Sequence, residues 1–277
     1  MVMHSCKAKG RMESTGSAEP PVRQRSSSRN SNAWVHTINV IHLSRATKRK
    51  RAFFALNKID GLTFKLVEGI DSRLVDCDEL KRQNLIKAGT TFRTPGCGLT
   101  HRKLWLQSVE TQTPLIVCED DAVIRHDFRE QFSICMNVLP KDWDFLLLGY
   151  NFDSILEVEI IAGTERLSGR FTNTKLAISG LKEFQTSISP VSVLPLRNAF
   201  GTPGYAVSPT GARYLLRNVF PLRNLTISIP YYGRTMESRS IDSMMNGLYG
   251  KMKAFACLPP LVATPNQRDP HARFVKV

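Results

Sequence analysis

Apolar residues in this chain come in short blocks separated by polar and glycine-containing stretches. Val35-His36-Thr37-Ile38-Asn39-Val40-Ile41-His42-Leu43 is rich in β-branched and apolar side chains and predicts a first strand. Ser44 is placed to cap a helix reaching Asn57, with basic residues Lys48, Arg49, Lys50 and Arg51 and apolar Phe53 and Leu56. Gly61 closes that unit, residues 62–67 predict a second strand and residues 76–87 a helix. Strand, helix and strand at this spacing form a βαβ unit, which predicts a parallel sheet. Thr100 is placed to cap a helix through Glu110. Residues 114–118 and 143–148 read as buried strands on either side of a helix at 127–139. Between 151 and 200 the β signals scatter (158–161 and 171–178) among Gly, Ser and Thr, which predicts an irregular β-rich insertion. A short strand at 205–207, a helix opened by Ser208-Pro209 and running to Arg217, a short helix at 241–249 and a strand at 253–257 complete the pattern. No internal repeat occurs.

The chain has 277 residues, 42% of them hydrophobic and 22% charged, which is ordinary globular usage. No stretch approaches the ~20 consecutive apolar residues that a membrane-spanning helix needs. Residues 1–33 are polar, basic and rich in Ser, Arg and Pro, and read as a disordered tail. Residues 34–277 then make a single domain. The formal charge of +14 suits anionic partners such as nucleotide phosphates, nucleic acid or an anionic membrane surface, with a solvated basic surface as the plain alternative. No Arg/Lys stripe with interleaved aromatics is present, so nucleic acid is not expected. The 6 cysteines form no Cys-x-x-Cys pair and no His cluster flanks them, which argues against zinc. Cys118 reads as a small buried hydrophobe. Cysteine usage and the lack of an apolar core behind residues 1–11 predict a cytoplasmic address.

Chemistry concentrates at Glu119-Asp120-Asp121, directly after a wholly apolar strand. Open α/β sheets bind ligands at the carboxyl ends of their strands. In extended chain Glu119 and Asp121 share one face. Two carboxylates there suit Mg²⁺ or Mn²⁺, and such an ion can neutralise a departing phosphate. The alternative is an acidic turn that caps the following segment.

At this point a resemblance enters. Ile38-Asn39-Val40 with Leu43, Arg45 and Arg49 resembles the opening strand and helix of glycosyltransferase family 25, which contains lipopolysaccharide glycosyltransferases and collagen galactosyltransferases. Gly96-Cys97-Gly98-Leu99-Thr100-His101 with Trp105 is similar to its next conserved segment. So are the stretches Leu115 to Ala122, Trp143 to Gly149, Gly204 to Leu216, and Ser240-Ile241-Asp242-Ser243-Met244-Met245. The matches run in order over most of the chain after Val35. Where the family usually carries Gly-Glu, this chain has Arg93 and Thr94. Residues 151–200 match no motif, and acceptor preference is expected there.

The resemblance implies a GT-A-like, Rossmann-type nucleotide-diphosphosugar fold with a mostly parallel central sheet. It implies inverting transfer of a hexose, galactose from UDP-galactose, to a saccharide or glycolipid acceptor such as lipopolysaccharide or lipooligosaccharide. In that scheme Asp121 holds the metal on the donor diphosphate, and Glu119 shares the ion or reaches the ribose. Asp120 supports the site or bonds a sugar hydroxyl. Asn39, at the end of the first strand, bonds uracil or ribose, and Arg45 bonds the phosphates. Asp242 is the candidate base for the acceptor hydroxyl, with a helix N-cap as its alternative. His101 and Trp105, one turn apart, line the donor pocket or belong to the core. Tyr205 faces the acceptor or packs, and Cys97 is a tight-packing residue. The basic surface is expected to hold the enzyme near anionic inner-leaflet lipid. A nucleotide-sugar hydrolase on the same fold and a non-enzymatic anion-binding protein are the competing functions.

Overall fold

The computed structural model describes residues 33–171, 178–265 and 275–276. The expected tail, most of the β signal at 171–178 and most of the C-terminal end lie outside the described residues, and Ile178 opens a helix rather than ending a strand. Among the described residues, nine strands form the main sheet: β1 (Thr37–His42), β2 (Thr63–Glu68), β3 (Leu115–Glu119), β4 (Phe145–Gly149), β5 (Ile155–Ile161), β6 (Glu165–Arg170), β7 (Ser192–Ala199), β8 (Gly204–Val207) and β9 (Ala254–Leu258). Their spatial order is β2-β1-β3-β8-β4-β9-β7-β5-β6. β2, β1 and β3 run parallel, as the βαβ spacing predicts, and β9 runs parallel to β4. β8 runs antiparallel between β3 and β4, and β7, β5 and β6 extend the far side as antiparallel pairs. The sheet is therefore mixed, and the expected insertion adds three of its strands.

Helices cover both faces: α1 (Thr47–Leu56), α2 (Cys77–Arg82), α3 (Pro95–Thr111), α4 (Phe128–Val138), α5 (Ile178–Gln185), α6 (Pro209–Val219) and α7 (Ile241–Asn246). Alternation along the strands divides the core. Val117, Leu147 and Tyr205 pack toward Leu104 and Trp105 of α3, Leu215 of α6 and Met244 of α7. Ile38, Ile116, Cys118, Leu146 and Leu148 pack toward Phe53 of α1 and Phe128 and Phe132 of α4. Burial on both faces is why β3 and β4 read as unbroken apolar runs.

Four local expectations change. Val35 and His36 do not open the first strand. They lie in a 3₁₀ turn, Ala33–His36, because Trp34 stacks on Trp143 with ring centroids 6.3 Å apart and meets Phe132 edge-on at 5.9 Å. Ser44 does not cap α1. Its backbone N–H donates to Glu68 Oε1 (3.1 Å) and its hydroxyl donates to the same carboxylate, so a tertiary partner takes the would-be cap. Thr100 is a helix-interior residue, because α3 starts earlier, with Pro95 in its first turn. Its hydroxyl accepts from the Ile70 N–H and donates to the Gly96 carbonyl, both at 2.8 Å. A side chain at Gly96 would sit 2.1 Å from the Ile70 carbonyl oxygen, so this contact requires glycine. Asp76 caps α2 as its position suggests, but the helix ends at Arg82, shortly before Asn84 turns to φ +53°. The start of α6 behaves as read: the Ser208 hydroxyl accepts from the Gly211 N–H at 3.0 Å.

Candidate active site

Register builds the site. Ile41 of β1 faces Glu119 of β3, so the next residues, His42 and Asp120, meet where the two parallel strands end. The alternation that sends Cys118 toward α1 and α4 sends Asp120 the same way, and it sends Glu119 toward α3 and α7. The tripeptide is thus divided between two environments.

Asp120 is buried and paired. Its Oδ2 accepts from His42 Nδ1 at 2.8 Å; an ionised carboxylate only accepts, so Nδ1 carries the proton. Arg49 Nε lies 3.3 Å from its Oδ1. Both oxygens are occupied, and the carboxylate ties α1 to the ends of β1 and β3.

Glu119 and Asp121 differ. Burial, with the Asp121 charge next and Asp242 and Asp120 beyond, pushes the Glu119 carboxyl up to about 8, against the Thr202 hydrogen bond. That hydroxyl donates to Glu119 Oε1 at 3.2 Å. Burial also raises Asp121, helped by the Asp120 charge and opposed by a Thr264 hydrogen bond and by Arg49. Asp121 Oδ1 is buried with no hydrogen-bond partner. Two carboxylates that resist charging side by side, one with an orphaned oxygen, form a place where added positive charge is strongly favoured.

Asp242 joins them from α7. Ser240 occupies the N-cap, with its N–H donating to Ser243 Oγ at 3.1 Å, so Asp242 is not the cap residue. Its Oδ2 accepts from the Gly201 N–H at 3.0 Å and its Oδ1 from the Ser240 hydroxyl. Gly201 has φ +83°, and a side chain there would reach within 2.1 Å of Asn151 Oδ1. Only glycine presents its N–H to Asp242 in this way.

Other predicted residues lie elsewhere. Asn39 stands in the middle of β1, not at its end, and is buried; its Nδ2 donates to the Ile116 carbonyl at 3.0 Å. Arg45 follows β1, and its Nε donates to Asp71 Oδ2 at 2.8 Å. Arg73 Nη2 lies 2.6 Å from the same oxygen. The Arg73 hydrogen bond, with Arg45 beside it, holds the Asp71 carboxyl well below the usual carboxylate range. His101 and Trp105 are both fully buried. Tyr205 Oη lies 2.8 Å from His101 Nδ1 and accepts from Trp105 Nε1 at 3.1 Å. Burial lowers His101 to about 4. Burial, with the Glu119 and Asp242 charges beyond it, pushes the Cys97 thiol up, which keeps it protonated.

Thr202, Thr264 and His42 carry no signal as isolated residues, because each gains its role from a distant strand end. Only His42 was findable, as the residue that parallel pairing sets beside Asp120. Arg49 belongs to the sequence pattern, but its partner is tertiary. Among the described residues no group of three or more His, Cys, Asp or Glu side chains forms a ready metal cage, and no helix is long and apolar enough to cross a membrane.

Comparison with known protein families places the sequence. The family model of Glycosyltransferase family 25 (LPS biosynthesis protein) matches residues 35–230, well over half of the chain. The chain belongs to glycosyltransferase family 25. It is a glycosyltransferase, with a nucleotide-sugar donor and a saccharide acceptor of the lipopolysaccharide kind. The matched stretch contains Asn39, Arg45, His101 and Glu119 to Asp121, and it ends before Asp242. No curated protein matches the chain.

Proposed function

We propose that this family 25 enzyme moves a hexose, galactose from UDP-galactose, with inversion onto a lipopolysaccharide or lipooligosaccharide saccharide, with Mn²⁺ or Mg²⁺ on the donor diphosphate. The observation that carries this reading is the orphaned Asp121 Oδ1 beside a Glu119 carboxyl that burial and the Asp121 charge push upward.

The residues fit such an ion. Mg²⁺ is usually held by one or two carboxylates plus substrate oxygens rather than by an all-protein cage. Glu119 and Asp121 would supply the carboxylates. When bound, the ion neutralises charge on the leaving diphosphate. Arg45, the proposed phosphate contact, is held with Arg73 by the Asp71 carboxylate.

Asp242 is the base. The Gly201 N–H and the Ser240 hydroxyl hold its carboxylate in one orientation. It takes the proton of the acceptor hydroxyl as that oxygen bonds to the anomeric carbon and the bond to the diphosphate breaks from the opposite face. Asp120, bound to His42 and to the Arg49 guanidinium, is a positioning residue that fixes α1 and the strand ends. Asn39, bonded to the Ile116 carbonyl, is placed to support the scaffold, while His101 is buried with Nδ1 at the Tyr205 hydroxyl and Nε2 without a hydrogen-bond partner.

The test is transfer from radiolabelled UDP-galactose to lipooligosaccharide with Mn²⁺. The expected product is a β-linked galactoside from the α-linked donor, lost on adding EDTA and in Asp121→Asn. Free galactose despite ample acceptor would make the protein a hydrolase. Full activity in EDTA would remove the ion from the scheme.

A further inference from the structure

The side of α1 turned away from the carboxylates carries a different chemistry. Helical spacing sets Arg49 and Phe53 inward, where Arg49 meets Asp120 and Phe53 is 2% exposed. The same spacing sets Lys50, Arg51 and Phe54 outward with Lys48 beside them, Lys58 follows just after the helix, and all five are exposed. Between Thr47 and Lys65 stand Lys48, Arg49, Lys50, Arg51, Lys58 and Lys65 against the single acid Asp60. Arg129 of α4 lies over Gly61 next to them.

This charge does not serve the helix. The first turn of α1 holds no acidic residue and is crowded with cations, where the positive end of the helix dipole repels them. Among the described residues, none pairs with Lys48, Lys50 or Arg51. Apolar surface is mixed with the charge: Phe54 is 38% and Leu56 43% exposed. Phe54 is braced edge-on by Phe53 at 5.5 Å and by Phe64 of the edge strand β2 at 6.4 Å. A local rule broken without structural gain marks a functional surface.

We propose that the outward face of α1, with the adjoining edge of β2, docks on a bilayer surface bearing anionic lipid headgroups. Clustered Lys and Arg are drawn to such a surface, and a ring such as Phe54 enters the headgroup layer. Exposed Phe54 and Leu56 favour a bilayer over nucleic acid, since they offer nothing to a phosphate backbone. Through Arg49, Asp120 and His42 the docking helix is fastened to the ends of β1 and β3, so docking fixes how that edge of the sheet is oriented relative to the bilayer. Its purpose rests on a lipid-borne acceptor; the binding does not.

The test is co-sedimentation of the full-length protein with vesicles of phosphatidylglycerol and phosphatidylethanolamine, or of phosphatidylcholine alone. Wild type is expected to bind the anionic vesicles, and less so at high salt. With roughly fivefold per basic residue, the triple variant Lys48→Gln/Lys50→Gln/Arg51→Gln is expected to bind about a hundredfold more weakly. Lys48→Arg/Lys50→Arg should retain binding, and UDP affinity should be the same in all forms. Unchanged vesicle binding in the triple variant overturns the proposal. So does loss of poly(U) binding with vesicle binding intact, which would make the face a nucleic-acid site. A protein that docks normally but transfers no sugar leaves this proposal standing and sinks the catalytic one.

Discussion

Asp120 and its two neighbours occupy consecutive positions and have opposite fates. On the α1 side, Asp120 meets His42 and Arg49 and has both oxygens filled. Glu119 instead feels the charges of Asp121 and, from α7, Asp242, and an oxygen of Asp121 is left buried without a hydrogen-bond partner. A buried carboxylate with partners holds elements together; one deprived of them awaits a ligand. Charge count does not distinguish the two sides. What distinguishes them is whether the fold supplies the countercharge.

The largest expected effect tests the unpartnered side. Asp121→Asn should lower transfer by about 10³-fold, the scale on which one transition-state charge contact acts. Its thermal midpoint should stay equal or rise, because a repulsion is removed. A falling midpoint with residual activity would place Asp121 among the structural carboxylates. Asp120→Asn should do the reverse. It strands Arg49 and His42 and is expected to cost about 3 kcal/mol, measured by urea unfolding, with any activity that remains in the folded fraction close to wild type.

His101 sharpens the contrast from inside the core. Burial holds its imidazole at about 4, whereas the unfolded chain takes up a proton near the ordinary value of 6.5. A depressed base therefore contributes stability that is fully present above pH 6.5 and is lost as pH falls toward 4. The loss is about 3 kcal/mol at 1.36 kcal/mol per unit. His101→Gln should flatten that acid limb of the stability curve relative to wild type. An unchanged slope would show that His101 becomes protonated in the folded state.

Gly201→Ala should cost about 2 kcal/mol through its positive φ and the Asn151 contact, and it should lower kcat more than it raises KM by disturbing Asp242. The smallest effect is expected at Ser208→Ala, remote from the carboxylates. Loss of the α6 cap should cost about 1 kcal/mol in urea unfolding at unchanged activity.

Local pattern settled much of this protein. The apolar runs at β3 and β4, the βαβ start, the Ser208 cap and the acidic tripeptide at a strand end are legible because each depends on near neighbours in the chain. Family membership was likewise legible, from motifs in order. The mixed direction of the sheet was not. β8 enters between β3 and β4 from about ninety residues away, and no local periodicity encodes which strand will be its neighbour. Nor could adjacency in sequence say that Asp120 would bond His42 and Arg49 while Asp121 kept an oxygen without a hydrogen-bond partner. Pairing across strands and desolvation assign those roles, and both exist only once the chain has closed on itself.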